Sequence, residues 1–201
     1  MKYLAVDLGN VVIEVSFEKF MQDLMVVVPF SFDECFNYLC RVSKSHDLGL
    51  ISIVDGLQDH FNFKLSQNQQ IFITNSWKNT VKSNVFMNEY LNELTNSGTK
   101  IALLSNMGFE HRKLMRDIIT TNVYDTAIKF FSCDVGAIKP TYIYYKTFLD
   151  MYPEFKGCIY LDDKIENIEA SKLFGFDARQ FILDKIEPKD KIKQKLSQLV
   201  I

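Results

Sequence analysis

The chain has 201 residues, of which 47% are hydrophobic, and it carries a formal net charge of −2. This length and composition suffice for one buried core, or for one core plus a smaller inserted unit. Because the basic residues are dispersed among acidic ones, the chain lacks the concentrated positive charge that nucleic-acid binding requires. We therefore expect a folded domain that does not bind nucleic acid.

Two further observations bear on location. No run approaches the ~18 apolar residues that a membrane span needs, and the first predicted strand begins almost at the N-terminus, where a signal peptide would stand. The four cysteines show no paired CxxC spacing, which favours reduced thiols. We expect a cytoplasmic protein without a membrane anchor that is a monomer or a weak dimer.

Five apolar runs have the length of β-strands. They are residues 3–6, 101–104, 128–131, 158–161 and 178–183. The central runs are continuously apolar, as expected for strands of a parallel sheet with helices on both faces. Helix-length stretches lie between most of the runs, so the predicted fold class is α/β.

The interval 15–85 is predicted to contain helices and no convincing strand. Apolar residues recur there at helical spacing. Ser31, Ser52 and Ser66 are predicted to open three of the helices, and the last of these carries Trp77, for which we predict a packing role. A lysine-rich segment, 185–195, is predicted to form the solvated face of a terminal helix.

Polar residues follow four of the predicted strands. They are Asp7 after the first, Ser105 and Asn106 after the second, Lys139 after the third, and Asp162 with Asp163 after the fourth. Because parallel strands end on the same edge of a sheet, these side chains are expected to converge. Paired carboxylates suit a divalent cation, and a hydroxyl, backbone N–H groups and an ammonium suit a phosphate. The pattern predicts a site for metal-assisted phosphoryl transfer.

The segments DLGNVV, LLSN, Lys139-Pro140 and LDDKIENIEA resemble, in order and spacing, the four signature motifs of the haloacid dehalogenase-like (HAD) hydrolase superfamily. The resemblance covers essentially the whole chain. It implies a Rossmann-like core formed by 1–14 and 86–201, and a helical cap formed by 15–85. The form Asp-Leu-Gly-Asn, and HDLGLIS at 46–52, resemble the bacterial α-D-glucose-1-phosphate phosphatases, a branch related to the N-terminal phosphatase domain of soluble epoxide hydrolases.

The resemblance implies a Mg²⁺ site. Asp7 would be a metal ligand as well as the nucleophile that forms an aspartyl-phosphate. Gly9 would offer its backbone carbonyl, Asp163 would bind directly, and Asp162 would act through a water. Mg²⁺ prefers oxygen ligands and retains several waters, which suits so sparse a set.

The resemblance also implies how the phosphoryl group is held. Ser105 and the backbone of Asn106 would bind it, and Lys139 would neutralise it and steady Asp7. The substrate would be a small phosphorylated metabolite, either a sugar phosphate or a nucleotide.

One position departs from the pattern. Most phosphatases of the superfamily that the motifs resemble carry a second aspartate two positions after the nucleophile, and this chain has Gly9 there. General acid–base help is commonly worth ~10² to 10⁴ in rate. Three explanations for the missing aspartate stay open, in this order of preference. The first is a leaving group that needs little protonation, such as an anomeric sugar oxygen. The second is that His46, Asp47 or Glu14 takes the place of the aspartate, and the third is that turnover has been lost.

Those substitutes have plainer interpretations as well. We predict His46 to be a solvated loop residue and Glu14 to be exposed beside the hinge, and we predict His60 and His111 to be structural or surface residues.

Two functions other than a phosphatase stay open. A haloacid dehalogenase also uses an aspartate nucleophile and has no second aspartate, but it usually lacks paired acids such as Asp162 and Asp163. A non-catalytic phosphate-binding or regulatory domain would keep the fold and the metal without the acid.

Overall fold

The computed structural model describes residues 2–183 and 189–200. Its strands are β1 (Tyr3–Val6), β2 (Ile13–Val15), β3 (Val81–Ser83), β4 (Lys100–Ser105), β5 (Ile128–Phe131), β6 (Ile159–Asp162) and β7 (Asp177–Gln180). Its α-helices are α1 (Glu18–Val27), α2 (Phe32–Asp47), α3 (Ile53–Phe61), α4 (Gln67–Lys78), α5 (Val85–Asn96), α6 (Phe109–Arg112), α7 (Met115–Ile118), α8 (Thr121–Thr126), α9 (Ser132–Val135), α10 (Tyr142–Met151), α11 (Ile165–Lys172) and α12 (Lys189–Val200).

Five strands form a parallel sheet in the order β5-β4-β1-β6-β7, which confirms the predicted α/β class. Side chains alternate across it, as strand geometry requires. In the central strand β1, Leu4 and Val6 pack into the apolar cluster on one face, and Ala5 packs into the cluster on the other. Both faces of the sheet are therefore covered.

The strand bounds agree with the sequence prediction to within one or two residues, except at the last strand. Residues 178–183 were predicted as a strand, but β7 ends at Gln180. Beyond it, the N–H of Phe181 donates to the carbonyl of Asp162 at 2.9 Å. Phe181 and Leu183 are apolar because both are buried in the core.

Helices α1–α4 pack around an apolar cluster of their own. Ser31, Ser52 and Ser66 accept hydrogen bonds from backbone N–H groups at the starts of α2, α3 and α4, which confirms the predicted helix starts. The prediction that 15–85 contains no strand was wrong, because β3 pairs with β2 in an antiparallel ribbon. With the sequence Val-Lys-Ser, β3 lacks the apolar run on which strand prediction depends.

The terminal helix is present as α12, and its Ile192 and Leu196 are buried in the core. Residues 184–188 of the lysine-rich segment lie outside the described residues. Over the part of the chain that the structure describes, no helix combines the length and apolar character needed to cross a bilayer.

Candidate active site

The site lies at the carboxyl edge of the three central strands. β1 pairs with β6 so that Val6 lies beside Leu161, and the N–H of Asp7 donates to the carbonyl of Leu161 at 2.8 Å. Asp162 ends β6, and Ser105 ends β4 on the other side of β1. The register of the sheet therefore brings these side chains to one edge, as predicted.

The ammonium of Lys139 lies at the centre of this edge. It donates to Oδ1 of Asp7 at 2.8 Å, to Oδ2 of Asp162 at 2.7 Å and to the carbonyl of Leu104 at 2.9 Å. The side chain is buried. Burial alone would lower the pKa of Lys139, but the carboxylates of Asp7 and Asp162 outweigh burial and raise the pKa above its ordinary value. Lys139 therefore carries a fixed positive charge.

Asn106 holds the backbone of Lys139 in place. Its Nδ2 donates to the carbonyl of Lys139 at 2.9 Å, and its Oδ1 accepts the N–H of Lys139 at 2.8 Å. This pair of bonds joins the loop after β4 to the loop that carries the lysine. The side chain of Asn106 is thus engaged, which leaves its backbone for the predicted phosphate contact.

Asp162 has a different environment from the one predicted. It is buried, and its carboxylate accepts hydrogen bonds from the side chains of Lys139, Tyr160 and Asn167 and from the N–H of Lys164. Each oxygen has at least two donors, so its lone pairs are already used. Asp162 therefore holds Lys139 by a direct ion pair, and the water-mediated metal contact implied by the resemblance stays a prediction.

The carboxylates of Asp7, Asp162 and Asp163 form a cluster in which one ligand atom of each lies within 4.8 Å of the others. Oδ2 of Asp163 accepts a hydrogen bond from Asn10 at 3.3 Å. Its Oδ1 is the one buried side-chain polar atom in the described chain that has no hydrogen-bond partner. A buried acceptor without a partner costs free energy, and a cation would satisfy it. Asp7 and Asp163 therefore fit Mg²⁺, which prefers oxygen ligands.

The pKa of Asp7 also indicates that this edge suits a cation. Burial raises the pKa of Asp7 to about 6, with the neighbouring Asp162 and Asp163 adding to the rise and Lys139 opposing it. Burial likewise raises the pKa of Asp163. A divalent cation at this edge would favour the ionised carboxylates.

Ser105 and Gly9 border a cavity at this edge of the sheet. Among residues 2–183 and 189–200, the Ser105 side chain makes no hydrogen bond, so its hydroxyl is available to a ligand. A Cβ added to Gly9 would meet Cγ2 of Val15 at 3.4 Å, which is ordinary contact. Steric crowding therefore does not explain why position 9 is a glycine and not an acidic residue.

A cavity of about 450 Å³ opens above this edge. The polar side chains of its floor include those of Asp7, Asn10, Ser105, Asn106, Lys139, Asp163 and Asn167. The opposite side comes from residues 17–77 of the helical segment, and we call it the helical wall. Its apolar members include Phe17, Met21, Phe36, Leu39 and Trp77.

The three candidate substitutes for the missing acid differ in position. His46 and Asp47 border the cavity, whereas Glu14, which accepts a hydrogen bond from Asn84 at 3.0 Å, is not among its lining residues. The prediction of a solvated His46 was wrong, because only 2% of this residue is exposed.

The other two histidines have structural surroundings. His111 is buried and borders the cavity, and its ring stacks on Trp77 with the centroids 4.8 Å apart. His60 packs against Tyr38 and Phe61 within the helical segment. Trp77 has the predicted packing role and borders the cavity as well.

His46 is held by an ion pair with the core. Its Nε2 lies 3.1 Å from Oε2 of Glu110, and its Nδ1 lies 3.5 Å from Oδ1 of Asp47. Burial alone would lower the pKa of His46, but these carboxylates raise it to about 9. The charged ring donates to Glu110, so the Trp77 N–H, 3.2 Å from the same Nε2, makes only a close contact there. Glu110 also accepts the N–H of Ile53 at 3.0 Å.

Sequence reasoning missed Tyr160, Asn167 and Glu110. Tyr160 had a usable signal, since it lies two residues before Asp162 in the same strand and therefore on the same face. Asn167 lies in the first turn of the helix after Asp163, where a polar residue is common. Glu110 had no signal, because nothing local connects it to His46, which lies 64 residues earlier.

No protein-family model and no curated protein sequence matches the chain. Solved structures match it over nearly its whole length. The HAD family enzyme BT-2542 from Bacteroides thetaiotaomicron is similar with a TM-score of 0.79 and 19% identity, over 92% of this chain and 96% of that one. BT-2542 is also known in complex with magnesium and inorganic phosphate.

Two further structures extend the likeness. A predicted HAD-like family hydrolase from Porphyromonas gingivalis has a TM-score of 0.73 and 15% identity, over 98% of both chains. A HAD phosphatase from Thermococcus onnurineus has a TM-score of 0.63 and 14% identity, over 100% of both chains. The chain has the fold of the HAD-like hydrolases.

Proposed function

We propose that the protein is a HAD-type hydrolase, and specifically a Mg²⁺-dependent phosphatase that acts on a small phosphate monoester through an aspartyl-phosphate. The observation that carries the proposal is the buried Lys139 ammonium between Asp7 and Asp162, next to an Asp163 oxygen without a partner. The magnesium and phosphate bound by BT-2542, which has the same fold, support it.

Asp7 is the nucleophile in this proposal. Lys139 holds Oδ1, and in the described chain no donor bonds to Oδ2, so that oxygen is available to attack phosphorus. A P–O bond to Asp7 forms as the P–O bond to the leaving group breaks, and the leaving oxygen departs with the electron pair. Water then cleaves the aspartyl-phosphate and regenerates the carboxylate.

Positioning and electrostatic stabilisation account for most of the catalysis in phosphoryl transfer. The hydroxyl of Ser105 and the backbone of Asn106 bind phosphoryl oxygens, and Lys139 neutralises them. Asp7, Asp163 and the carbonyl of Gly9 would hold Mg²⁺, which supplies charge stabilisation when bound. We also propose that residues 15–85 act as the cap, since α1–α4 have an apolar cluster of their own and the β2–β3 ribbon lies where the segment leaves the core.

The test is release of phosphate from a panel of sugar phosphates, nucleotides and aryl phosphates, with Mg²⁺ and with a chelator. We expect release that requires Mg²⁺ and falls by at least ~10³ in Asp7→Asn, because the nucleophile is lost. The control is Asp150→Asn, which removes an exposed carboxylate paired with Lys146 and should leave the rate unchanged. Release that survives Asp7→Asn would refute the proposal. Halide release from haloacids, run in parallel, tests the dehalogenase alternative.

A further inference from the structure

The helical wall offers apolar surface to whatever group lies above the phosphate. Phe17 is 44% exposed and Phe36 is 53% exposed, although both border the cavity. Apolar side chains left open in a concave site are typical of a surface that a ligand covers. Among the described residues that line the cavity, the helical wall contributes no lysine and no arginine.

Of the polar side chains of the helical wall, Ser43 and His46 already have partners, and Asp47 is paired through Oδ1. The hydroxyl of Ser43 donates to the carbonyl of Cys40 at 3.1 Å. His46 is paired through both ring nitrogens, with Glu110 and with Asp47. A leaving group with several hydroxyls would lose hydrogen bonds to water and find few replacements there. This disfavours a sugar and favours an apolar group.

Phe17 and Trp77 of the helical wall form a row of rings with His111 of the core. The rings of Phe17 and Trp77 stack with centroids 5.6 Å apart and planes at 26°, and Trp77 stacks on His111 at 24°. Trp77 is buried inside the row, whereas Phe17 is exposed at one end of it. A planar ring in the cavity would therefore find an aromatic partner in Phe17.

Gly9 supplies an independent reason for the same conclusion. Gly9 itself offers no acid to protonate the leaving oxygen, and departure of an unprotonated oxygen is slow for an alcohol. A phenol has a pKa of ~10, so its anion is a far better leaving group. The chemistry of the floor and the surface of the wall thus favour the same kind of substrate.

We propose that the substrate is an aryl phosphate, with a planar aromatic leaving group that packs against Phe17 and departs as a phenolate. This inference rests on the proposed phosphatase function and specifies its substrate class.

Binding tests the proposal without turnover. Trp77 is the single tryptophan of the chain, so intrinsic fluorescence reports directly on the cavity. With Mg²⁺ present, we expect phenylphosphonate, whose C–P bond is not hydrolysed, to bind ~10-fold more tightly than methylphosphonate. Phe17→Ala should reduce that ratio to below ~3, and Phe17→Leu should keep part of it.

Phe72→Ala is the matched control. Phe72 is 43% exposed and lies in α4 of the same helical segment, but it does not border the cavity. This variant should keep the wild-type ratio. Equal affinity for the two phosphonates, or equal effects of Phe17→Ala and Phe72→Ala, would overturn the proposal.

Turnover assays distinguish the aryl-phosphate inference from the proposed phosphatase function on which it rests. We expect kcat/KM for phenyl phosphate to exceed that for glucose 1-phosphate by at least ~10²-fold. Asp7-dependent release that favours glucose 1-phosphate would overturn the aryl proposal and leave the phosphatase standing. No release from any ester, with phenylphosphonate still bound selectively, would overturn the phosphatase and the proposed substrate, leaving an aryl-phosphate binding site.

Discussion

His46 of α2 and Glu110 of α6 form an ion pair, 3.1 Å between Nε2 and Oε2, that joins the helical segment to the α/β core. Only 2% of His46 is exposed. Gly108 lies directly beneath the ring, since a Cβ added there would lie 2.4 Å from its Cε1. The pair therefore determines how closely α2 approaches the core beside the cavity.

Replacing Glu110 should cost stability. Glu110→Gln keeps the shape of the side chain but removes the nearer of the two carboxylates that face the charged His46, so we expect the free energy of unfolding to fall by about 3 kcal/mol. The midpoint of urea denaturation measures this. Glu169→Gln is the control, because Glu169 pairs with Lys172 on the surface and should contribute less than ~1 kcal/mol. Similar losses in the two variants would show that burial adds nothing to the pair.

The same pair makes stability depend on pH. His46 has a pKa of about 9 in the folded chain against an ordinary 6.5, so its contribution is complete below pH 6.5 and is lost as pH rises through 9. Glu110, whose pKa is lowered to about 2 by His46 and the Ile53 N–H despite burial, loses its contribution only as pH falls from 4.5 through 2. Burial lowers the pKa of the neighbouring His111.

We accordingly expect the stability difference between wild type and Glu110→Gln to be largest between pH 4.5 and 6.5. It should shrink as pH rises from 6 to 10, by at most about 3 kcal/mol, because Asp47 also contributes to the raised pKa of His46 and remains in the variant. Urea titrations of both proteins at the two pH values give the difference. A difference that stays constant would mean that His46 is not charged in the folded chain.

Mg²⁺ should stabilise the protein through Asp163. A ligand that binds the folded state raises the melting temperature, and at 100 times its Kd it contributes ~2.7 kcal/mol. We expect Mg²⁺ to raise the melting temperature of wild type but not of Asp163→Asn. Asp163→Asn should also melt no lower than wild type in chelator, because it removes a buried charge with an unpaired oxygen.

The control for this experiment is Asp177→Asn, which alters an exposed carboxylate paired with Arg179 and should keep the full response to Mg²⁺. An equal rise in all three proteins would place the cation elsewhere on the surface.

Gly9→Asp should add the missing acid. There is space for a side chain, because its Cβ would meet only Cγ2 of Val15, at 3.4 Å. For benzyl phosphate, whose alkoxide leaves poorly, we expect kcat/KM to rise by ~10². For 4-nitrophenyl phosphate the rise should be slight, since its leaving group needs no proton. Gly9→Asn fills the same space without an acid and should raise kcat/KM for neither ester. A rise in this variant would show that packing, and not the acid, causes the effect.

The sequence predicted the floor of the site well because strand ends follow from local patterns. Apolar runs locate Asp7, Ser105 and Asp162, and a parallel sheet then brings them to one edge. The environment of Asp162 was not predictable in the same way. Its role depends on how many donors surround it, and of these Tyr160 is indicated only by its position on the same face of β6, while Asn167 carries no distinctive pattern.

His46 shows more clearly where prediction from the sequence alone fails. A histidine near the polar end of a helix resembles a solvated residue, and its burial depends on Glu110, which is distant in sequence. The ribbon strand β3 escaped prediction for a related reason. Three residues with one apolar side chain gain their structure from the partner strand β2 and not from their own propensity.

The hydrogen-bond register of β1 and β6 fixes the distance between Asp7 and its neighbours, whereas the helical wall forms the opposite side of the cavity. Under the proposed function, chemistry and selectivity would be encoded largely in separate stretches of the chain. Substitutions confined to residues 17–77 would then change the class of ester that is bound while the strand edge stays intact, so that the substrate range could be redesigned without rebuilding the reaction.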